Sequence, residues 1–509
     1  MGVFAECQGP IADTLWLTCG FFAIWQAMNN GNERWVERLV SWAEIVVPVL
    51  TGCMGLGALL LWVSIVPVED VVARVPGLDR RPAQLNTGSG LSVVPQEPVV
   101  GTGTPADIEG EWPGFRGPRR DGVGTCSVPL ARKWLPTGPP ILWQVTLGPG
   151  HAGPAVARGR VLILDYDVQA RADTLRCLSL ADGQEIWRNS YPADVPENHG
   201  SSRTVPAIAG NYVVTIGPKC HLACWELETG RCVWFINMVD RYGAEVPPWY
   251  TGQCPLVDGD TVIVAPGGEN LMVALDLATG SELWRTPGIP QWQMSHASVV
   301  PVEFGGRKMY VYPTTAGIVV VDATTGKLVC SSTDFVGKMA TCPSPVVLPE
   351  GMLFFTGGYG AGSLLARLTG QGDQIRLEAV RRISPREYGS EHQTPVFYEG
   401  FLYGSRCPPG AQQLVCMTPE GKILWTSGAD RFVRGPYFIA DGLLYAVDES
   451  GVLFLIEATP EAYRVLDRFK IWADAHDAWG PMALVAGRLL VRDLTRLVCL
   501  DVSAAGNGG

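Results

Sequence analysis

The sequence predicts an all-β fold, an eight-bladed β-propeller with four-stranded antiparallel blades, preceded by an N-terminal transmembrane helix or helical hairpin. Three observations carry this expectation. A phrase made of a polar entry, an alternating apolar run, a turn glycine and a second apolar run occurs eight times. Its second positions are residues 154, 206, 255, 298, 345, 395, 436 and 481, a period of 41 to 52 residues. A corner of the form Asp-x-x-Thr-Gly-x-x-x-Trp falls between phrases, as in "DLATGSELW" at 276–284. Finally, residues 45–68 carry no charge over a length that spans a bilayer.

Residues 1–70 read as a membrane anchor with helices at about 11–28 and 45–68. The second, "IVVPVLTGCMGLGALLLWVSIVPV", is bracketed by Glu44 and by Glu69 and Asp70. No Lys or Arg precedes Arg34, so the positive segment of a cleavable signal is missing. Residues 71–110 are rich in Pro, Gly, Thr and Ser without strand or helix period, and read as a flexible linker. The propeller is expected over 111–503 and a disordered tail over 504–509.

Within the propeller, each period holds four alternating runs, which is one blade. The corner has a local physical job. Asp276 caps a tight turn, Thr279 assists, and Gly280 supplies a positive φ. The tryptophan that follows is placed to fill the gap against the next blade, its N–H meeting a backbone acceptor. Trp143, Trp187, Trp234, Trp284 and Trp425 are the five candidates. The last unit has no such strand of its own, whereas "PPILWQVTL" at 139–147 is unclaimed upstream. Residues 139–147 are therefore expected to complete blade 8 and remove the free edges of the ring.

The 14 cysteines show neither C-x-x-C pairs nor a haem attachment motif. Cys177, Cys224, Cys416 and Cys499 stand where "VALDL" has Ala274, so they read as small buried hydrophobes. A net charge of -11 without a Lys/Arg cluster argues against nucleic acid as a partner. No phosphate loop, zinc-protease helix or nucleophile elbow occurs, and "GGYGAG" at 357–362 reads as a turn between strands.

Taken together, the corner, the eight units and the opening "EWPGFRGPRRDGVG" at 111–124 resemble the PQQ-repeat, quinoprotein-like and BamB-like bacterial β-propellers. That resemblance implies one of two functions: a PQQ-dependent dehydrogenase, or a protein-binding scaffold. The dehydrogenases would imply PQQ with Ca2+, a vicinal Cys-Cys disulfide, oxygen ligands from Glu, Asn and Asp, and a catalytic Asp. No Cys-Cys dipeptide exists in this chain. The expectation is therefore a membrane-anchored binding or scaffolding module without catalysis or cofactor, its propeller extracytoplasmic and its partner a protein or peptide. A quinoprotein-type oxidoreductase with an atypical site is the alternative.

Residues just before the first strand of each blade should ring one mouth of the central channel. His151, Arg203, His296, His392, Arg434 and Trp479 stand there, from six different blades. Converging His and Arg side chains suit an anion or an acidic loop. Trp249 and Tyr250, in a loop on the same face, and Trp479 are the aromatics expected to touch a partner.

Overall fold

The computed structural model describes residues 33–65, 93–196, 199–407 and 412–508. It divides into two units, residues 1–74 and 75–509. In the first, a helix runs over Glu33–Ile65, and its Ser41–Trp62 stretch of 22 residues is long and apolar enough to cross a membrane. Side chains along that stretch are unburied within the chain, Met54 and Trp62 among them. The expected helix at 11–28, the end of the second at 66–68 and the linker over 71–92 lie outside the described residues.

The second unit is an eight-bladed propeller of four-stranded antiparallel meanders, seven of them in chain order. Blade 1 comprises Ala155–Ala157, Arg160–Asp167, Ala172–Ser179 and Glu185–Pro192. Blade 8 takes Ala483–Val485, Arg488–Arg492 and Arg496–Asp501 from the C-terminal end and Ile141–Thr146 from upstream. Trp143 pairs with Cys499 and Thr146 with Arg496, so the ring is shut by the strand expected from the sequence.

In every blade the pairing of the two outer strands shifts by one residue at the same place. Such a bulge bends and twists the outer edge, which lets eight flat-faced repeats splay from one axis. The tryptophans sit immediately beside it, each opposite a small buried residue: Trp187 faces Cys177, Trp234 faces Cys224, Trp284 faces Ala274 and Trp425 faces Cys416. Their indole N–H groups reach into the following blade. Trp143 donates to Leu180 O (3.1 Å), Trp187 to Leu227 O (3.0 Å), Trp234 to Leu277 O (2.8 Å), Trp284 to Ala323 O (3.2 Å) and Trp425 to Thr459 O (2.7 Å).

The corner glycine turns out to serve two purposes. Gly280 has φ +68, and a Cβ there would stand 2.8 Å from the Trp234 ring. The glycine of one blade's corner is thus the seat for the preceding blade's indole. Asp276 Oδ1 meanwhile accepts from Thr279 N (2.8 Å) and Thr279 Oγ1 (2.7 Å), as the corner chemistry requires. Blades 4, 5 and 7 carry Cys330, Arg381 and Asp467 at the tryptophan's register position. At the last of these, Asp467 Oδ2 instead accepts from the backbone N of Trp134, which is itself buried.

Two expectations about the edges of the domain are corrected. Residues 96–110 are not a free linker: Val99–Val100 add a fifth strand to blade 1, opposite Arg188 and Trp187. Ala106 N donates to Gly159 O (3.0 Å). Their backbone groups find partners on an open sheet edge, which composition does not reveal. The C-terminal residues described also pack, because Asn507 Nδ2 donates to Asp501 O and Ser503 O, both at 2.9 Å.

The opening 111–124 stretch does more than start the domain: it crosses the ring axis. Trp112 bridges to Val156 of blade 1, Ile208 N of blade 2 donates to Pro113 O (2.7 Å), and Val123–Gly124 run parallel to the first strand of blade 7. Arg116, with φ +66, donates from NH1 to Thr394 O (2.7 Å) and from NH2 to Asp121 O (2.6 Å) and Pro395 O (2.9 Å). Arg120 reaches Val257 O of blade 3. One end of the channel is therefore stoppered by the chain itself.

Candidate functional site

With that end closed, the axis becomes a blind well of about 290 Å³. Phe115, at the tip of the stopper, is shared by this well and by a second cavity of about 300 Å³ on its other side, so it forms the floor. His151, Arg203, His296, His392, Arg434 and Trp479 all line the well, and Trp249 lines it too. The loops carrying Arg203, Trp249 and Trp479 meet over one opening. They converge because each of these residues sits just before, or in the loop leading to, a first strand, and first strands face the axis.

Tyr250 is placed elsewhere. It is buried, and its hydroxyl donates to Pro196 O (2.7 Å) between blades 1 and 2. The alternation of a tight turn with φ +65 sends neighbouring side chains opposite ways, so Trp249 faces the well and Tyr250 the core.

Trp479 organises one wall. His151 stacks on it at 4.6 Å between ring centres, His392 meets it edge-on at 5.2 Å, and the Arg434 guanidinium lies 5.1 Å from its ring centre. Gln393 ties three loops together, its Nε2 donating to Arg434 O (2.8 Å) and Trp479 O (3.0 Å). On the facing wall Trp249 tilts against His296 at 6.2 Å. Arg203 donates from NH2 to His199 O (2.8 Å) and Gly200 O (3.1 Å).

The electrostatics follow from burial and from the two arginines. Burial first, then Arg203, holds His296 down to about 4. Burial, Arg434 and Arg203 hold His392 down to about 3, and burial with Arg203 and Arg492 lowers His151 well below its ordinary value. All three imidazoles are therefore neutral at physiological pH. Burial lowers Arg203 to about 10, which leaves it charged. For Arg434 burial opposes the charge, but Glu391, Tyr359 and Glu449 outweigh it and raise its pKa. Glu391 Oε2 lies 2.8 Å from Arg434 Nε, and Glu449 Oε1 lies 3.6 Å from its NH1.

Sequence reasoning missed several wall residues. Gln393 follows His392 directly, so adjacency was the available signal. Tyr359 comes from the "GGYGAG" turn, which joins Met352–Gly357 to Gly362–Thr369 as expected and also delivers its one large side chain to the well. Cys254 and Cys342 enter from blades 3 and 5, and nothing in their spacing marked them. Phe115 carried no signal, because the stopper's path across the axis is a tertiary fact.

The family described as "Outer membrane protein assembly factor BamB", a PQQ-repeat family, matches residues 171–406. The eight-bladed propeller matches this PQQ-repeat family over that stretch. BamB from Moraxella catarrhalis aligns with this propeller at a TM-score of 0.50 and 14% identity, over 71% of this chain and 99% of that one. The quinohemoprotein alcohol dehydrogenase ADHIIG from Pseudomonas putida HK5 aligns at 0.44 and 11% identity, over 78% and 80% of the two chains. That from Comamonas testosteroni gives 0.41 and 14%, over 77% and 80%. At these identities the likeness is one of fold. No curated protein matches the propeller chain in sequence.

Glu391 and Glu449, the carboxylates beside the well, are turned to Arg434. Cys254 and Cys342 are unpaired and belong to different blades. Among the described residues, no three His, Cys, Asp or Glu side chains are grouped to hold a metal ion.

Proposed function

We propose that this chain is a membrane-anchored binding module that receives a segment of a protein partner in the blind axial well, with the propeller on the extracytoplasmic side. One observation carries the reading: seven mouth residues drawn from separate loops converge on a well that the chain's own 111–124 stretch has floored. A closed floor removes any through-passage and leaves one way in. The rim adds apolar surface suited to a protein contact, with Met339 70% exposed on the loop whose Ala340 lines the well. The outline shared with BamB supports a protein partner over a small substrate.

A photocrosslinking residue in place of Met339, in the full chain in its native membrane, should yield one defined protein adduct. A crosslinker at Val168, exposed on a blade 1 hairpin, should yield none. Equal labelling at both sites would overturn the reading. So would a stoichiometric quinone absorbance, with dye-linked alcohol oxidation, after adding PQQ and calcium to the purified chain.

His392→Ala should separate binding from folding. The ring touches Trp479 edge-on, so removing it should change stability by less than about 1 kcal/mol while the Met339 adduct disappears. A large drop in unfolding midpoint would return His392 to a packing role.

A further inference from the structure

An ionisable group lies one side chain behind the well, unused by the reading above. Asp173, on the third strand of blade 1, is fully buried. Its Oδ2 accepts from the Tyr191 hydroxyl at 2.5 Å and its Oδ1 from the Ser202 hydroxyl at 3.3 Å. No ion pair joins it among the described residues. Gly217 of blade 2 makes room for this pair, since a Cβ there would stand 2.6 Å from Asp173 Oδ2.

Ser202 connects the carboxylate to the mouth. Its carbonyl accepts from His151 N (2.7 Å), Ser201 N donates to Pro149 O (3.0 Å), and Gly150 and Ser202 form a parallel bridge. His199 and Arg203, on either side, line the well. The Asp173–Ser202 bond therefore fastens the 199–203 loop to the body of blade 1.

We infer that Asp173 is a proton-sensitive latch on the mouth: ionised, it holds the 199–203 loop through Ser202, and protonated, it lets that loop loosen. The inference rests on the well being the binding site, because only then does the loop matter to a partner. A desolvated carboxylate facing two hydroxyls, with no cation paired to it among the described residues, holds its proton unusually tightly. Burial, opposed by the Tyr191 and Ser202 bonds and aided by Asp165, raises Asp173 to about 7. On protonation the Ser202 bond, already long, loses its charge assistance.

The neighbours leave this titration isolated. Tyr191 is raised well above its ordinary range by burial and by Asp173. His221, edge-on to Tyr191 at 5.1 Å, is held at about 4 by burial and Lys219, and burial pushes Cys220 to about 11. None of these changes charge between about pH 6 and 8. His199, exposed in the loop itself, is taken out of the comparison by a His199→Gln background.

The sign is fixed by linkage. Asp173 is raised to about 7 in the fold and is near 4 in the unfolded chain, so its contribution to stability is full below about pH 4 and is lost as pH rises through 7. Local fastening of the loop runs the other way and tightens above pH 7. Amide exchange on the full chain in detergent, corrected for intrinsic rates, tests this through the Ser201 and His151 amides. Protection of both should fall several-fold from pH 8 to pH 6. In Asp173→Asn protection should not change with pH, and its melting temperature should lose the wild-type decline between pH 5 and 8. Ser202→Ala should keep that decline but show low protection at both pH values. Protection independent of pH in the parent, or an undiminished step in Asp173→Asn, would overturn the latch. Because no partner enters the experiment, its failure leaves the binding reading untouched, and a missing adduct at Met339 leaves the latch untouched.

Discussion

Trp187→Ala is expected to destabilise the propeller by about 3 to 5 kcal/mol, the range for removing a large buried aromatic side chain. Trp187 is 1% exposed, wedged between blades 1 and 2 over the Gly230 corner, and its N–H is the partner of Leu227 O at 3.0 Å. Truncation leaves a cavity and an unpaired carbonyl together. Chemical denaturation should show a lower midpoint with an unchanged slope. Trp187→Phe, which keeps a ring but loses the donor, should recover much of the loss. Trp284, only half-buried in the corresponding place, should cost less when truncated. If Trp187 and Trp284 gave equal losses, burial would not be what makes the wedge stabilising.

Arg492→Met should have the second largest effect, about 3 kcal/mol or more, since several buried acceptors lose their donor at once. Arg492 has no exposed surface and sits at the seam where blade 8 meets blade 1. It donates from NH1 to Ala152 O (3.2 Å) and Leu164 O (3.0 Å), and from NH2 to Gly148 O (3.0 Å). Burial lowers its pKa to about 10, against the pull of Asp165 and Asp493, so the guanidinium enters the seam charged. Methionine fills similar volume but leaves three carbonyls dry. Arg492→Lys should be nearly as damaging, because one ammonium cannot reproduce a planar fork spread over three acceptors. A denaturation midpoint unchanged in both variants would mean that water replaces the fork at no cost and that the seam is closed by strand 141–146 alone.

Much of the fold was legible because a propeller repeats its local chemistry. The corner at 276–284 states the turn, the glycine conformation and the wedge in nine residues, and each recurrence restates them. Where the repeat falters, legibility falters too. Cys330, Arg381 and Asp467 occupy the wedge position without indoles, and nothing nearby in sequence shows that Trp134 backs Asp467 from more than three hundred residues away. The mouth was legible to the extent that blade phase is: six residues at one phase were named, and all six reach the well. Tyr250 lay outside that phase argument, and its burial depended on a single φ.

The sequence by itself determined the number of blades, the strand that closes the ring and the phase that faces the axis, because these depend on periodic local patterns summed over eight copies. Tertiary structure alone decided that residues 111–124 stopper the channel, that residues 99–100 extend blade 1, and that Asp173 stands behind the mouth bonded to Ser202. Those features have no period. They arise where unpaired backbone edges and buried carbonyls accept whichever segment passes within reach, and that proximity is set only once the ring has closed.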